Sequence, residues 1–162
     1  MDVISYNWVE YPVFQAEGNA AQFAIPYARK VCEGVGFDIG CKHADWAFPG
    51  AIPIDKVFND EWHAMNLPDI EVDYIFSSHC LEHLDDWVAA LEYWDKKLDG
   101  GVLFLYLPDY SQEYWRPWHN RKHKHVLTPR IIKDWMHDHR YDTVFASGVD
   151  LNNSFMVMGD KS

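Results

Sequence analysis

Chemistry in this 162-residue chain can be placed at three groups of residues. The first is the turn Phe37-Asp38-Ile39-Gly40-Cys41, together with Asp55 further on. Glycine at such a turn lets the backbone approach a ligand, and a carboxylate at the tip of a following strand can accept both hydroxyls of a ribose. The second is Ser77-Ser78-His79, which ends an apolar run and leads into Glu82 and His83. His79 reads either as a working imidazole or as one that bonds its own loop, and Glu82 and His83 read as structural. The third is the segment 108–127, with Asp109, Tyr110, Tyr114, Trp115, Trp118, His119, His123 and His125. Its aromatics suit stacking on a ring, and Asp109 could orient a hydroxyl or a metal, or cap the surface. His123 and His125 share a face if the chain is extended, and His119 could join them as metal ligands. No carboxylate or cysteine stands beside them in the sequence, so no metal is expected there. Cys41 lacks a His-Asp partnership at readable spacing, which excludes a thiol nucleophile, and no phosphate-binding Gly-x-x-x-x-Gly-Lys-Ser/Thr run exists.

Composition narrows the classes. With 14 Lys and Arg against 25 Asp and Glu, the formal charge is −11, which argues against nucleic acid as a partner. A local basic patch around Arg116 to Lys124 remains. Three cysteines without a CxxC pair read as reduced thiols, and the first residues lack a basic, apolar leader. A cytoplasmic protein is expected, with no membrane partner, because no window approaches the ~20 apolar residues of a span. Length and aromatic content are compatible with a homodimer.

These groups need elements to hold them. Residues 1–33 read as an aromatic arm and a helix capped by Asn19, with Ala20, Phe23, Tyr27 and Val31 on one face. Residues 34–162 read as one α/β domain. Val35 to Ile39 and Ala51 to Ile54 are the first two strands; only 17 positions separate Asp38 from Asp55, so the helix between them shrinks to a turn or two around Asp45 to Phe48. A short helix is expected over Lys56 to Met65, and a buried strand over Val72 to Phe76. Asp86 caps a helix from Trp87 to about Leu98, striped by Trp87, Leu91, Trp94 and Leu98. A tight turn at Asp99-Gly100-Gly101 then opens the strand Val102 to Leu107. Thr128-Pro129 starts a helix to His139 with Ile131, Ile132, Trp135 and Met136 inward. Two runs, Thr143 to Val149 and Ser154 to Met158, close the chain as an antiparallel hairpin.

FDIGC with Asp55, the block Asn66-Leu67-Pro68 followed by VDYIFSSHCLEHL, and LDGGVLFLYLPD together resemble the class I S-adenosylmethionine-dependent methyltransferases, in their small type-11-like branch. The resemblance spans roughly Gly34 to Met158. It implies a Rossmann-like methyltransferase fold of seven-stranded type, with a mostly parallel sheet and a C-terminal antiparallel hairpin. It also implies S-adenosylmethionine as cofactor. Asp38, Gly40 and Cys41 would lie in the turn beneath its methionine part, Asp55 at the ribose hydroxyls, and Lys56 and Leu67 beside the adenine. Ser77, Ser78 and His79 would form the floor near the sulfonium, with His79 as candidate base. The expected function is methyl transfer to a small-molecule or saccharide-like acceptor, bound by Asp109, Tyr110, Trp115, His123 and His125. Lys42 and Ala44, where further glycines would be expected, favour an alternative: a catalytically inactive binding module of the same fold. A nicotinamide-dependent oxidoreductase is the other alternative, because Asp55 fits any ribose.

Overall fold

The structure is a computed structural model and describes residues 2–6, 8–12, 19–111, 113, 116–118 and 121–162. Tyr114, Trp115 and His119 lie outside the described residues. At the N-terminus, β1 (Val3–Tyr6) and β2 (Val9–Pro12) pair antiparallel as a separate two-stranded hairpin. Helix α1 (Ala21–Ala28) follows, then β3 (Gly36–Ile39), a 3-10 turn at Ala44–Trp46, and β4 (Ile52–Ile54). The remainder is β5 (Val72–Ser78), a second 3-10 turn at Leu81–His83, α2 (Trp87–Asp95), β6 (Leu98–Pro108), α3 (Pro129–Asp138), β7 (Thr143–Ala146) and β8 (Ser154–Lys161).

Among the described residues the main sheet has six strands, in the order β4-β3-β5-β6-β8-β7, not seven. β4, β3, β5 and β6 are parallel, and β8 runs antiparallel to both β6 and β7. The mostly parallel sheet with its closing hairpin is therefore as expected. Alternation along β6 sends Leu103, Leu105 and Leu107 to one face and Val102, Phe104 and Tyr106 to the other. The first face packs on Leu91 and Trp94 of α2 and on Ile132, Trp135 and Met136 of α3. Burying each such side chain contributes roughly 1.5–3 kcal/mol. Asp86 caps α2 by accepting from the Ala89 amide at 3.0 Å, and Thr128 caps α3 through the Ile131 amide at 3.3 Å.

Five expectations are corrected. The stripe of α1 is Ala20, Ala24, Ala28 and Cys32, while Tyr27 is exposed. These small side chains let the helix lie close to a face already filled by Tyr74, Phe76, Phe104 and Tyr106. Asn19 does not cap it; the cap position is Ala20, without a side-chain bond. No helix forms over Lys56 to Met65. The Asp55 and Asn59 side chains capture the amides of Val57, Glu61 and Trp62, which offers the backbone an alternative to helical bonding. This crossover adds only an isolated bridge, His63 to Asn66, and hangs on α2 through Trp94 Nε1 to the Ala64 carbonyl (2.7 Å) and the Leu67 amide to Tyr93 Oη (2.9 Å). Gly100 and Gly101 are part of β6 rather than a turn before it. Both have positive φ, at a register shift opposite Val72 and Tyr74, and a Cβ on Gly101 would meet the Asp73 carbonyl at 1.9 Å. Finally, Ile131 is 40% exposed, so the inner face of α3 is Ile132, Trp135 and Met136. No helix among the described residues is long and apolar enough to cross a membrane.

Candidate active site

The chain adds β4 on one side of β3 and β5 on the other, and the C-terminal ends of parallel strands at such a reversal are where open α/β sheets bind ligands. Gly40, just past β3, has φ +85, and a Cβ there would meet Cβ and Sγ of Cys80 at 2.5 Å. Glycine is required at this turn by conformation and by close approach. Lys42 adopts φ +65 without that freedom. Its amide donates to Asp55 Oδ2 at 2.7 Å, and the Val57 amide to Oδ1 at 2.9 Å. Half-buried Asp55 thus braces the turn with one lone pair on each oxygen and keeps the others for a ligand. The Lys42 ammonium lies 5.5 Å from the Trp46 ring centre.

Asp38 and Ser77 work from behind this turn. Asp38 is 1% exposed and accepts the Phe48 amide at 2.7 Å, so it ties the short crossover to β3. Burial raises its pKa to about 7, the Phe48 bond pulls the other way, and the Asp55 charge adds to the rise. Ser77 donates to the Ile39 carbonyl at 2.8 Å and pins β5 to β3. Leu67 is buried in the main core, and Lys56 is exposed. The Ser78 hydroxyl is buried and has no partner among the described residues. Burial, with the Asp38 and Asp55 charges, pushes the Cys41 thiol up to about 12, so it stays protonated.

His79 has φ +48, and its Nε2 lies 2.9 Å from Ser154 Oγ on β8. The protein surrounds the ring closely, and this burial, helped by His123 and His83, lowers its pKa to about 3. At neutral pH it is uncharged and a weak acceptor of protons. Ser154 belongs to a network that sequence reasoning missed. Ser154 Oγ donates to the Asn152 carbonyl at 3.1 Å, Asn152 Nδ2 donates to Tyr106 Oη at 3.0 Å, and Tyr106 Oη donates to Asp150 Oδ2 at 2.5 Å. No spacing in the sequence announces this network, because β6 and β8 meet only in the sheet.

A hollow opens beyond β6, lined by Pro108, Asp109, Tyr110, Arg116, Pro117, His123, His125 and Val126. It collects the expected Asp109, Tyr110, His123 and His125, and Trp115 lies outside the described residues. The Arg116 guanidinium sits 4.3 Å from the Tyr110 ring and 5.9 Å from that of Trp118, and the two rings meet edge to face at 61°, forming a partly exposed aromatic rim. Asp109 accepts the Ser111 amide at 2.9 Å. At the inner wall, His123 Nε2 is 3.9 Å and His83 Nε2 is 3.6 Å from Glu82 Oε1. Glu82 is 1% exposed, and neither carboxylate oxygen has a hydrogen-bond partner among the described residues. Burial raises its pKa to about 8. The sequence signal for Glu82 was its place in the Leu-Glu-His turn after β5, which carries no hint of a partner 41 positions later.

A family model described as a methyltransferase domain matches residues 16–144. Several solved structures share the fold. An S-adenosylmethionine-dependent methyltransferase from Archaeoglobus fulgidus aligns with a TM-score of 0.63 and 16% identity, over 91% of this chain and 94% of that one. The N-methyltransferase NodS from Bradyrhizobium japonicum, in complex with S-adenosyl-L-homocysteine, gives 0.59 and 16%, over 93% and 88%. Magnesium protoporphyrin IX methyltransferase from Synechocystis, with bound S-adenosylmethionine, gives 0.61 and 11%, over 98% and 86%. No curated protein sequence matches the chain at a significant level.

Proposed function

We infer the acceptor from one premise: the chain belongs to the methyltransferase-domain family, as an S-adenosylmethionine-dependent methyltransferase. Its acceptor is a small molecule of saccharide-like character that enters by the hollow beyond β6. One observation supports this most. The aromatic Tyr110–Arg116–Trp118 rim and the polar wall of Asp109, His123 and His125 lie past the end of β6, and Asp55 lies past the end of the parallel β4. Acceptor and cofactor would therefore meet at one edge of the sheet.

The residues present suit the cofactor. Asp55 keeps free lone pairs toward ribose hydroxyls, the Gly40–Cys41 backbone can pass close to the methionine part, and the Ser78 hydroxyl, without a partner among the described residues, offers a donor. Lys56 would flank the adenine, with Leu67 as apolar support. When bound, S-adenosylmethionine supplies an electrophilic methyl on a sulfonium. Alignment of the acceptor is then most of what the protein must provide. Asp109 orients an acceptor hydroxyl. His79, proposed from the sequence as a base, is better read as a positioning residue that joins β5 to β8 through Ser154. We also propose residues 1–33 as a cover on the domain formed by 34–162, with α1 seated on the sheet.

Calorimetric titration with S-adenosylhomocysteine tests the cofactor assignment: Asp55→Ala should weaken binding at least ~10-fold, about 1.4 kcal/mol. Release of S-adenosylhomocysteine, followed over panels of sugars and of amines, tests the acceptor. Turnover with hydroxyl sugars, and a raised KM in Tyr110→Ala, are expected. Turnover with amines alone, or an unchanged KM in that variant, would sink the saccharide reading.

A further inference from the structure

Glu82 is buried with both oxygens unpartnered among the described residues, which is a costly arrangement for a carboxylate unless something positive meets it. Two imidazole nitrogens approach it. The Glu82, His83 and His123 ligand atoms all lie within 4.8 Å of one another. His83 Nδ1 lies 2.7 Å from the Lys122 carbonyl, and a carbonyl can only accept, so Nδ1 carries the proton. That leaves the lone pair of His83 on Nε2, the atom 3.6 Å from Glu82. A carbonyl that fixes the tautomer from behind is the usual support for a metal-ligating histidine.

The loop that brings His123 is stitched to the turn that brings Glu82. The Lys124 and His125 amides donate to the Glu82 carbonyl at 2.8 and 3.3 Å, and His125 Nε2 donates to the Leu84 carbonyl at 2.6 Å. The Lys124 ammonium is drawn to Asp85 on the surface. Two imidazoles and one carboxylate match the ligand preferences of divalent manganese through zinc, with bonds of about 2.0–2.2 Å for zinc. Ligands at that radius stand roughly 3–3.5 Å apart, so the observed 3.6 and 3.9 Å would contract by about 0.1–0.9 Å, and the two imidazole ligand atoms stand within 4.8 Å of each other.

We propose that Glu82, His83 and His123 form a site for one divalent first-row cation on the inner wall of the acceptor hollow. His123 belongs both to the cluster and to the lining of the hollow. The remaining coordination positions would take water or an acceptor oxygen, and this last clause alone rests on the acceptor reading above. The cation site stands without it.

Equilibrium dialysis of the chelator-stripped full chain against cobalt(II) and zinc(II) tests the site, with the visible absorption of cobalt reporting its ligands. One equivalent per chain is expected, and Glu82→Gln and His123→Gln should each weaken it at least 10-fold. His137→Gln, on the exposed side of α3, should leave it unchanged. If Glu82→Gln fails to fold, judged by circular dichroism, His83→Gln serves in its place. Failure of the wild type to take up one equivalent overturns the proposal. So does binding that survives both cluster variants, or binding that falls equally in His137→Gln. A chain that binds cobalt but does not methylate sugars would keep this site and lose only the acceptor reading.

Discussion

Asp38 and Glu82 are each about 1% exposed, and both stand at the C-terminal end of the parallel strands. Asp38 takes the Phe48 amide at 2.7 Å, from a crossover ten positions away. Glu82 has no hydrogen-bond donor among the described residues, and the imidazoles that approach it are its neighbour His83 and His123. The proposed cofactor end of the site therefore satisfies its acids with its own backbone. Asp55 does the same with the Lys42 and Val57 amides. The proposed acceptor end leaves a buried acid facing two imidazoles. A carboxylate bonded to local amides is a brace, whereas a carboxylate facing only imidazoles is a ligand in waiting. The difference lies in what the donors are, not in how deep the acid sits.

The largest expected effect comes where the two ends touch. Gly40→Ala forces a Cβ against Cys80, two residues before Glu82, at a φ of +85. It should lower stability by about 3 kcal/mol or more, read as a fall in the urea midpoint. A variant of unchanged midpoint would show that the ends are not in contact through this glycine.

Next in size is the pH response of the brace. The folded pKa of Asp38 is raised to about 7 from 3.8, so its stabilisation is complete below about pH 4 and is lost as pH rises through about 7. The loss should be on the order of 2 kcal/mol once relaxation and water entry are allowed for. Urea midpoints of wild type should fall between pH 5 and pH 8 more steeply than those of Asp38→Asn. Equal slopes would mean that Asp38 is not held as an acid under strain.

The smallest effect is at Lys42. Its left-handed φ of +65 is one that glycine adopts freely, so Lys42→Gly should raise stability by about 0.5–1 kcal/mol. Because the Asp55 brace uses the residue 42 amide and not the side chain, affinity for S-adenosylhomocysteine should be unchanged. A loss of affinity would assign the Lys42 side chain to the cofactor.

Much of the frame was legible. Val102 to Leu107 is a continuous apolar run and Val72 to Phe76 is apolar apart from the exposed Asp73, and each became a central strand. Asp86 and Thr128 were readable as caps, since their chemistry depends on amides three residues ahead. The stripe of α1 was not legible, because a row of alanines carries little hydrophobic signal beside Phe23 and Tyr27. Its inward face was chosen by the aromatics of β5 and β6. The segment after Asp55 had helical composition, yet two side chains outcompeted the helix for its amides.

The sequence by itself settled the elements whose causes are local: strand runs, caps, the glycine turn and the closing hairpin. It also carried the carboxylate at the tip of β4, because strand and acid adjoin. Only the tertiary structure decided which titratable groups would meet. His123 and His125 lacked an acid in their own stretch of chain, and the fold supplied Glu82 by laying loop 122–125 across the turn after β5. Ser154 reached His79 in the same way, through pairing of β8 with β6. Local chemistry is set by neighbours a few bonds away. Burial and partnership are set by which strands lie side by side, and that follows from the packing of the whole core.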